Sequence, residues 1–114
     1  MKTDKKFEEL LSLSTRLGVT VRKDRLIRSN GGYCVINEDK VIVLNKMLPL
    51  ETQTSILARC LFEVDGFDKQ DIDKDILSYI KREVEYKKIT DEVDEIEFII
   101  TNKDDIDKEN MINL

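Results

Sequence analysis

An α+β domain is predicted, with a three-stranded antiparallel sheet, an N-terminal helix and two or three following helices. Three observations predict it. Residues 4–17 repeat their apolar side chains at helical spacing and are followed by Gly18. Residues 30–45 hold two β-branched runs around a polar turn, and residues 50–64 return to helical spacing directly after Pro49. Sequential strands joined by short turns favour antiparallel neighbours, because a parallel pair needs a long crossover.

The first helix carries Phe7, Leu10, Leu11, Ser14 and Leu17 on one stripe, with Lys6, Glu8, Glu9 and Arg16 elsewhere. Thr3 or Asp4 fits its N-cap, and Gly18 suits a left-handed C-terminal position. Residues 19–23 alternate Val19 and Val21 with Thr20 and Arg22, as a half-buried strand does. Asn30-Gly31-Gly32 marks a reversal that favours positive φ. Strands at residues 33–37 and 40–45 follow, joined by the turn Asn37-Glu38-Asp39-Lys40. Their apolar residues fall on both parities, which predicts a hairpin buried on both faces at the centre of the fold. Pro49 suits the first turn of the next helix. There Ile56, Leu57, Cys60, Leu61 and Val64 form the stripe, with Thr52, Gln53, Thr54, Ser55 and Arg59 largely outside it. Gly66 ends that helix. Asp71 or Asp73 can cap a third helix to about residue 88, which buries Ile76, Leu77, Ile80 and Val84 and pairs Glu83 with Lys87.

Residues 89–101 fit either a helix or a strand. Residues 1–101 are expected to form one domain, with residues 102–114 a flexible acidic tail. Val93, Ile96, Ile99 and Ile100 are too apolar for a solvating segment, so residues 89–100 are expected to dock on the domain or on a second copy.

Composition excludes more chemistry than it suggests. Charged residues make up 38% of the chain, above the usual quarter or so, and the net charge is −5. Residues 1–62 carry 11 Lys/Arg against 7 Asp/Glu, and residues 63–114 carry 8 against 17. The two halves can therefore attract each other or different partners. The chain contains no histidine. Ser-His-Asp triads, cysteine–histidine nucleophiles and HExxH zinc chemistry are thereby excluded within it. Two cysteines are too few for an all-thiolate zinc site or a secreted disulfide framework, so both are read as reduced thiols in a cytoplasmic protein. No cofactor or metal is expected. No apolar run reaches the roughly 20 residues of a membrane span, and residues 1–10 lack a signal peptide's apolar segment.

Three motifs bear on function. Tyr33 and Cys34 put a phenol and a thiol beside a glycine turn, the arrangement expected of a small thiol-dependent enzyme or sensor centred on Cys34. Without histidine the thiol lacks its usual activator, and strand alternation favours a buried, structural Cys34. Arg22, Arg25 and Arg28, with Arg16 and Lys23, form a basic segment that could hold nucleic acid weakly. Its small extent, the missing aromatics and the acidic net charge weigh against nucleic acid and favour a solvated strand face. Asp71, Asp73 and Asp75 mimic an EF-hand start, but Ile76 replaces its glycine and Arg82 its closing glutamate. The function expected from this inventory is a non-enzymatic protein-interaction module, a homodimer or chaperone-like adaptor, with a protein partner or a second copy and no membrane contact.

The segments LGVTVRKD, GGYCVINEDKVIVLNKMLP and LETQTSILARCL resemble a family of small bacterial proteins of unknown role. That family has a leading helix, a Gly-Gly-x-Cys strand, an Ile-Val-Leu-Asn-Lys strand and a helix after Leu-Pro. The matching residues are Gly31, Gly32, Cys34, Leu44, Asn45, Lys46 and Pro49. The order of helix, three strands and helix is also similar to the minimal zinc-peptidase skeleton. There the second helix carries HExxH, whereas here it reads Thr52-Gln53-Thr54-Ser55-Ile56. The resemblance implies a fold without the metal and names no activity.

Overall fold

The computed structural model describes the backbone of residues 1–104 and the side chains of residues 1–89. Its elements are α1 (Thr3–Arg16), β1 (Val19–Asp24), β2 (Gly31–Ile36), β3 (Asp39–Asn45), α2 (Leu50–Phe62), a 3-10 turn (Phe67–Lys69) and α3 (Lys74–Asp104). The first compact unit is Met1–Val84, and a second begins at Glu85 within α3. Residues 89–101, read as helix or strand, continue α3. Their expected docking, and the expected tail at 102–114, lie outside the described side chains.

The fold is α+β as expected, but the sheet is mixed. Its order is β1-β3-β2, with β1 parallel to β3 and β2 antiparallel to it. The length rule that argued for antiparallel pairing is satisfied in another way. Residues 25–38, which include β2 itself, supply the dozen or so residues a parallel connection needs. Residues 25–30 leave β1 at Asp24, opposite Asn45, and enter β2 at Gly31, opposite Leu44. They thus cross the end of β3, a span of two strand spacings or about 10 Å.

Asn45 pins this crossing. It is buried, and its Nδ2 donates to the Leu26 and Ser29 carbonyls at 3.0 Å each. Its Oδ1 accepts from the Met47 amide at 2.9 Å and the Leu26 amide at 3.4 Å. Its own amide bonds the Asn30 carbonyl, and the Lys46 amide bonds that of Asp24. One side chain therefore satisfies partly buried backbone groups of the loop that would otherwise lack a partner within the fold. Gly31 completes the corner: its φ is +119°, and a Cβ there would overlap the Val43 carbonyl oxygen. The hairpin turn is shorter than expected, a two-residue Asn37-Glu38 loop with φ of 51° and 72°. Positive φ at both positions matches the right-handed twist of the flanking strands.

The core of the first unit is built from Leu10 and Leu13 of α1, Ile42 and Leu44 of β3, Leu57 and Leu61 of α2 and Ile80 of α3, all fully buried. Leu13 joins the α1 stripe, while Leu11 is only half-buried. The first helix starts one residue earlier than expected, with Lys2 at the N-cap and no side-chain cap, so neither Thr3 nor Asp4 caps it. Asp73 does cap α3, its carboxylate accepting from the Asp75 amide at 3.0 Å.

Gln53 and Thr54 were expected outside the α2 stripe but are buried. Thr54 Oγ1 donates to the Leu50 carbonyl at 2.7 Å, and Gln53 Nε2 to the Leu48 carbonyl at 2.8 Å. Local backbone acceptors satisfy the Thr54 hydroxyl and Gln53 Nε2, while Gln53 Oε1 is buried with no hydrogen-bond partner among the described residues. Glu83 accepts a hydrogen bond from Ser55 Oγ, which in turn accepts one from Arg59, so α3 is tied to α2.

Candidate functional site

Among the described residues, α1 and α2 pack against the sheet, and its buried side chains Val19, Ile42 and Leu44 share one face. On that side lie Val19, Val21 and Lys23 of β1, Ile42 and Leu44 of β3 and Tyr33 and Val35 of β2, by the pairing register. Thr20, Arg22, Val41, Val43, Cys34 and Ile36 point to the other side. There Val41 and Val43 are only half-buried.

The expectation of a hairpin buried on both faces fails at β2. Apolar residues do fall on both parities, but β2 is an edge strand, with Cys34, Val35 and Ile36 exposed. Val35 is 57% exposed even though it points to the helix side, so helical cover stops short of this edge. Cys34 is therefore not the buried structural residue that alternation suggested. Tyr33, half-buried, packs against the core on the opposite face. The pleat thus separates the thiol and the phenol that the sequence sets side by side.

The basic segment is also divided. Arg22 pairs with Asp24 at 3.0 Å. Lys23 turns over the Phe7 ring at 4.5 Å, and Arg16 donates to the Asp71 carbonyl at 2.8 Å. Arg25 and Arg28 lie exposed on the crossing loop. Arg22 and Cys34 share a face, but β3 stands between their strands, and strand spacing separates them by about 10 Å or more. Among the described residues, no cation cluster is assembled around the thiol.

Cys60, on α2, is partly buried and packs against the core. Burial pushes its thiol up to about 11, helped by the charge of Glu63 and opposed by Arg59. Burial likewise raises Tyr79 to about 12, with Glu83 adding to the effect. Neither group is primed for chemistry at neutral pH. The C-terminal end of α2, the turn after it and α3 line an open cleft of about 540 Å³. Phe62, Val64, Phe67 and Leu77 line it together with Glu63 and Asp65. Among the described residues, no group of three or more His, Cys, Asp or Glu could hold a metal ion. No helix among them is long and apolar enough to cross a membrane.

What distinguishes β2 is what it lacks. GGYCVI contains no charge and no proline, in a chain with 38% charged residues. Natural edge strands are normally blunted by charges, lysine above all, by proline or by a bulge. Val35, Ile36 and the loop residue Ile27 were missed as surface residues. The uncharged hexapeptide was the available signal, and only its position at the edge gives that signal its meaning. No family model, curated protein or solved structure matches the chain.

Proposed function

We propose that this chain is a non-enzymatic protein-interaction module that receives its partner along β2 and the adjoining open sheet face. The observation that supports this reading is the uncharged, exposed edge formed by Cys34, Val35 and Ile36. An edge strand offers unpaired backbone amides and carbonyls for strand addition, and alternate side chains provide selectivity. A cytoplasmic, reducing setting belongs to the same proposal and is supported by the two free thiols, Cys34 and Cys60. Quantitative capture with the wild-type chain and with Val35→Lys as baits tests the reading. Proteins held by the first and lost by the second are expected; identical captures would remove it.

One observation favours a second reading, a thiol-dependent sensor or enzyme: Cys34 is exposed. That reading requires Cys34 to react with iodoacetamide faster than glutathione does at neutral pH. A rate no higher than glutathione's leaves Cys34 as an ordinary surface thiol.

A further inference from the structure

We propose that the occupant of the β2 edge is β2 of a second copy, paired antiparallel about a two-fold axis through Cys34 to give a continuous six-stranded sheet. This rests on the interaction-module reading and names its partner. In a two-residue hairpin the closing pair, Ile36 and Asp39, is hydrogen-bonded, and bonding then alternates along the strand. Gly32, Cys34 and Ile36 therefore spend their backbone groups on β3. Gly31, Tyr33 and Val35 point theirs outward.

Self-pairing must match outward residues with outward residues, which leaves few registers. A two-fold at Tyr33 would pair Gly31 with Val35, but the Gly31 amide is already bonded to Ser29 Oγ at 3.1 Å. A two-fold at Val35 would pair Tyr33 with Asn37, whose φ of 51° has left the extended region. The two-fold at Cys34 pairs Tyr33 with Val35 on both sides of the axis and uses the whole strand.

Side chains agree with that register. Ile36, 54% exposed, falls opposite Gly32, where even an added Cβ would meet nothing within 4 Å. Val35 meets Tyr33 on the helix side, where its own helices leave it uncovered. The ends of the strand are of opposite charge: exposed Arg28, on the part of the crossing loop next to Gly31, precedes it, and exposed Glu38 and Asp39 follow it. Antiparallel pairing brings Arg28 of each copy to the acidic turn of the other. Charge repulsion between two chains of net −5 is thus relieved where they meet.

The register also sets the reporter. Cys34 faces its own counterpart in a non-hydrogen-bonded pair, at a Cα separation of about 4.5 Å that a disulfide can bridge. A register shifted by two residues moves the pair beyond the roughly 7 Å limit. Diamide treatment of the reduced full chain should join the two Sγ atoms, releasing two protons and passing two electrons to diamide, which becomes the hydrazine.

Sedimentation of the full chain and covalent trapping test the proposal together. A dimer is expected for wild type and for Cys34→Ser, and a monomer for Val35→Lys. Diamide should link wild type and Cys60→Ser through Cys34, with at least tenfold less product from Val35→Lys. Circular dichroism of Val35→Lys should match wild type, and Ile36→Lys, on the opposite face, provides a second disrupting variant. A wild-type monomer overturns the dimer, as does a dimer insensitive to both lysines. If that monomer still captures proteins that Val35→Lys loses, the edge remains a docking site for another partner. Identical captures would remove both readings.

Discussion

Strand β1 closes one edge of the sheet with Arg22, Lys23 and Asp24, and these charges are engaged: Arg22 with Asp24, and Lys23 over Phe7 of α1. Strand β2 closes the other edge with no charge at all and leaves Val35 and Ile36 more than half exposed. The contrast follows from β3 taking the centre, which makes edges of both its neighbours. One edge is finished within the chain, by charge and by helical cover. The other is left in the state that accepts another strand.

The largest effect is expected at the corner that creates this arrangement. Gly31→Ala forces a side chain into the Val43 carbonyl at a φ that L residues rarely adopt, and should cost roughly 3 kcal/mol or more. Asn45→Leu strands the Leu26 and Ser29 carbonyls and the Met47 amide, for a loss of about 2–4 kcal/mol. Urea unfolding measures both. Losses below about 1 kcal/mol would show that the crossing does not depend on this corner.

Next in size is a pH effect that belongs to the helix layer and spares the edge. Above its ordinary value of 9.0 the Cys60 thiol ionises in the unfolded chain, but burial keeps it protonated in the fold up to about 11. This stabilisation is fully present below pH 9 and is lost as pH rises through 11. Tyr79 extends the loss from 10 towards 12. A fall of roughly 1–2 kcal/mol is expected across the Cys60 window. Cys60→Ala should flatten its lower part and Tyr79→Phe its upper part. A profile unaltered by Cys60→Ala would contradict the assigned burial.

A matched pair of substitutions compares the edges directly. Val21→Lys places a charge where β1 packs on the core cluster and should cost about 1–2 kcal/mol. In protein dilute enough to be monomeric, Val35→Lys alters an exposed residue and should change stability by less than about 0.5 kcal/mol. Equal costs at that dilution would mean that β2 is covered within its own chain. Smaller still is Gly32→Ala, with open space around it and an expected change within about 0.5 kcal/mol.

The sequence made the elements readable but not their neighbours. Helical spacing located α1 and α2, and β-branched runs located β2 and β3, because these periods are local. Whether β1 lies beside β2 or β3 depends on where six loop residues cross, and a six-residue loop has the reach for either. Asn45 decides between them through contacts with Leu26 and Ser29, which no spacing rule connects to it. Gln53 and Thr54 lie inside because the Thr54 hydroxyl and Gln53 Nε2 find acceptors on nearby backbone, which helical spacing does not show. For the candidate site, the sequence shows that Tyr33 and Cys34 share one strand. Its two-sided apolarity reads as burial, whereas β2 is an edge.

Amide hydrogen exchange along β2, followed by nuclear magnetic resonance at several protein concentrations, tests the central claim most directly. Gly32 and Cys34 should be protected at every concentration, because their amides are bonded to β3. Tyr33 and Val35 should exchange freely in dilute protein and become protected as concentration rises and the second copy takes the edge. Tyr33 and Val35 as protected as Cys34 in dilute protein would contradict the account, as would free exchange at both residues at the highest concentration.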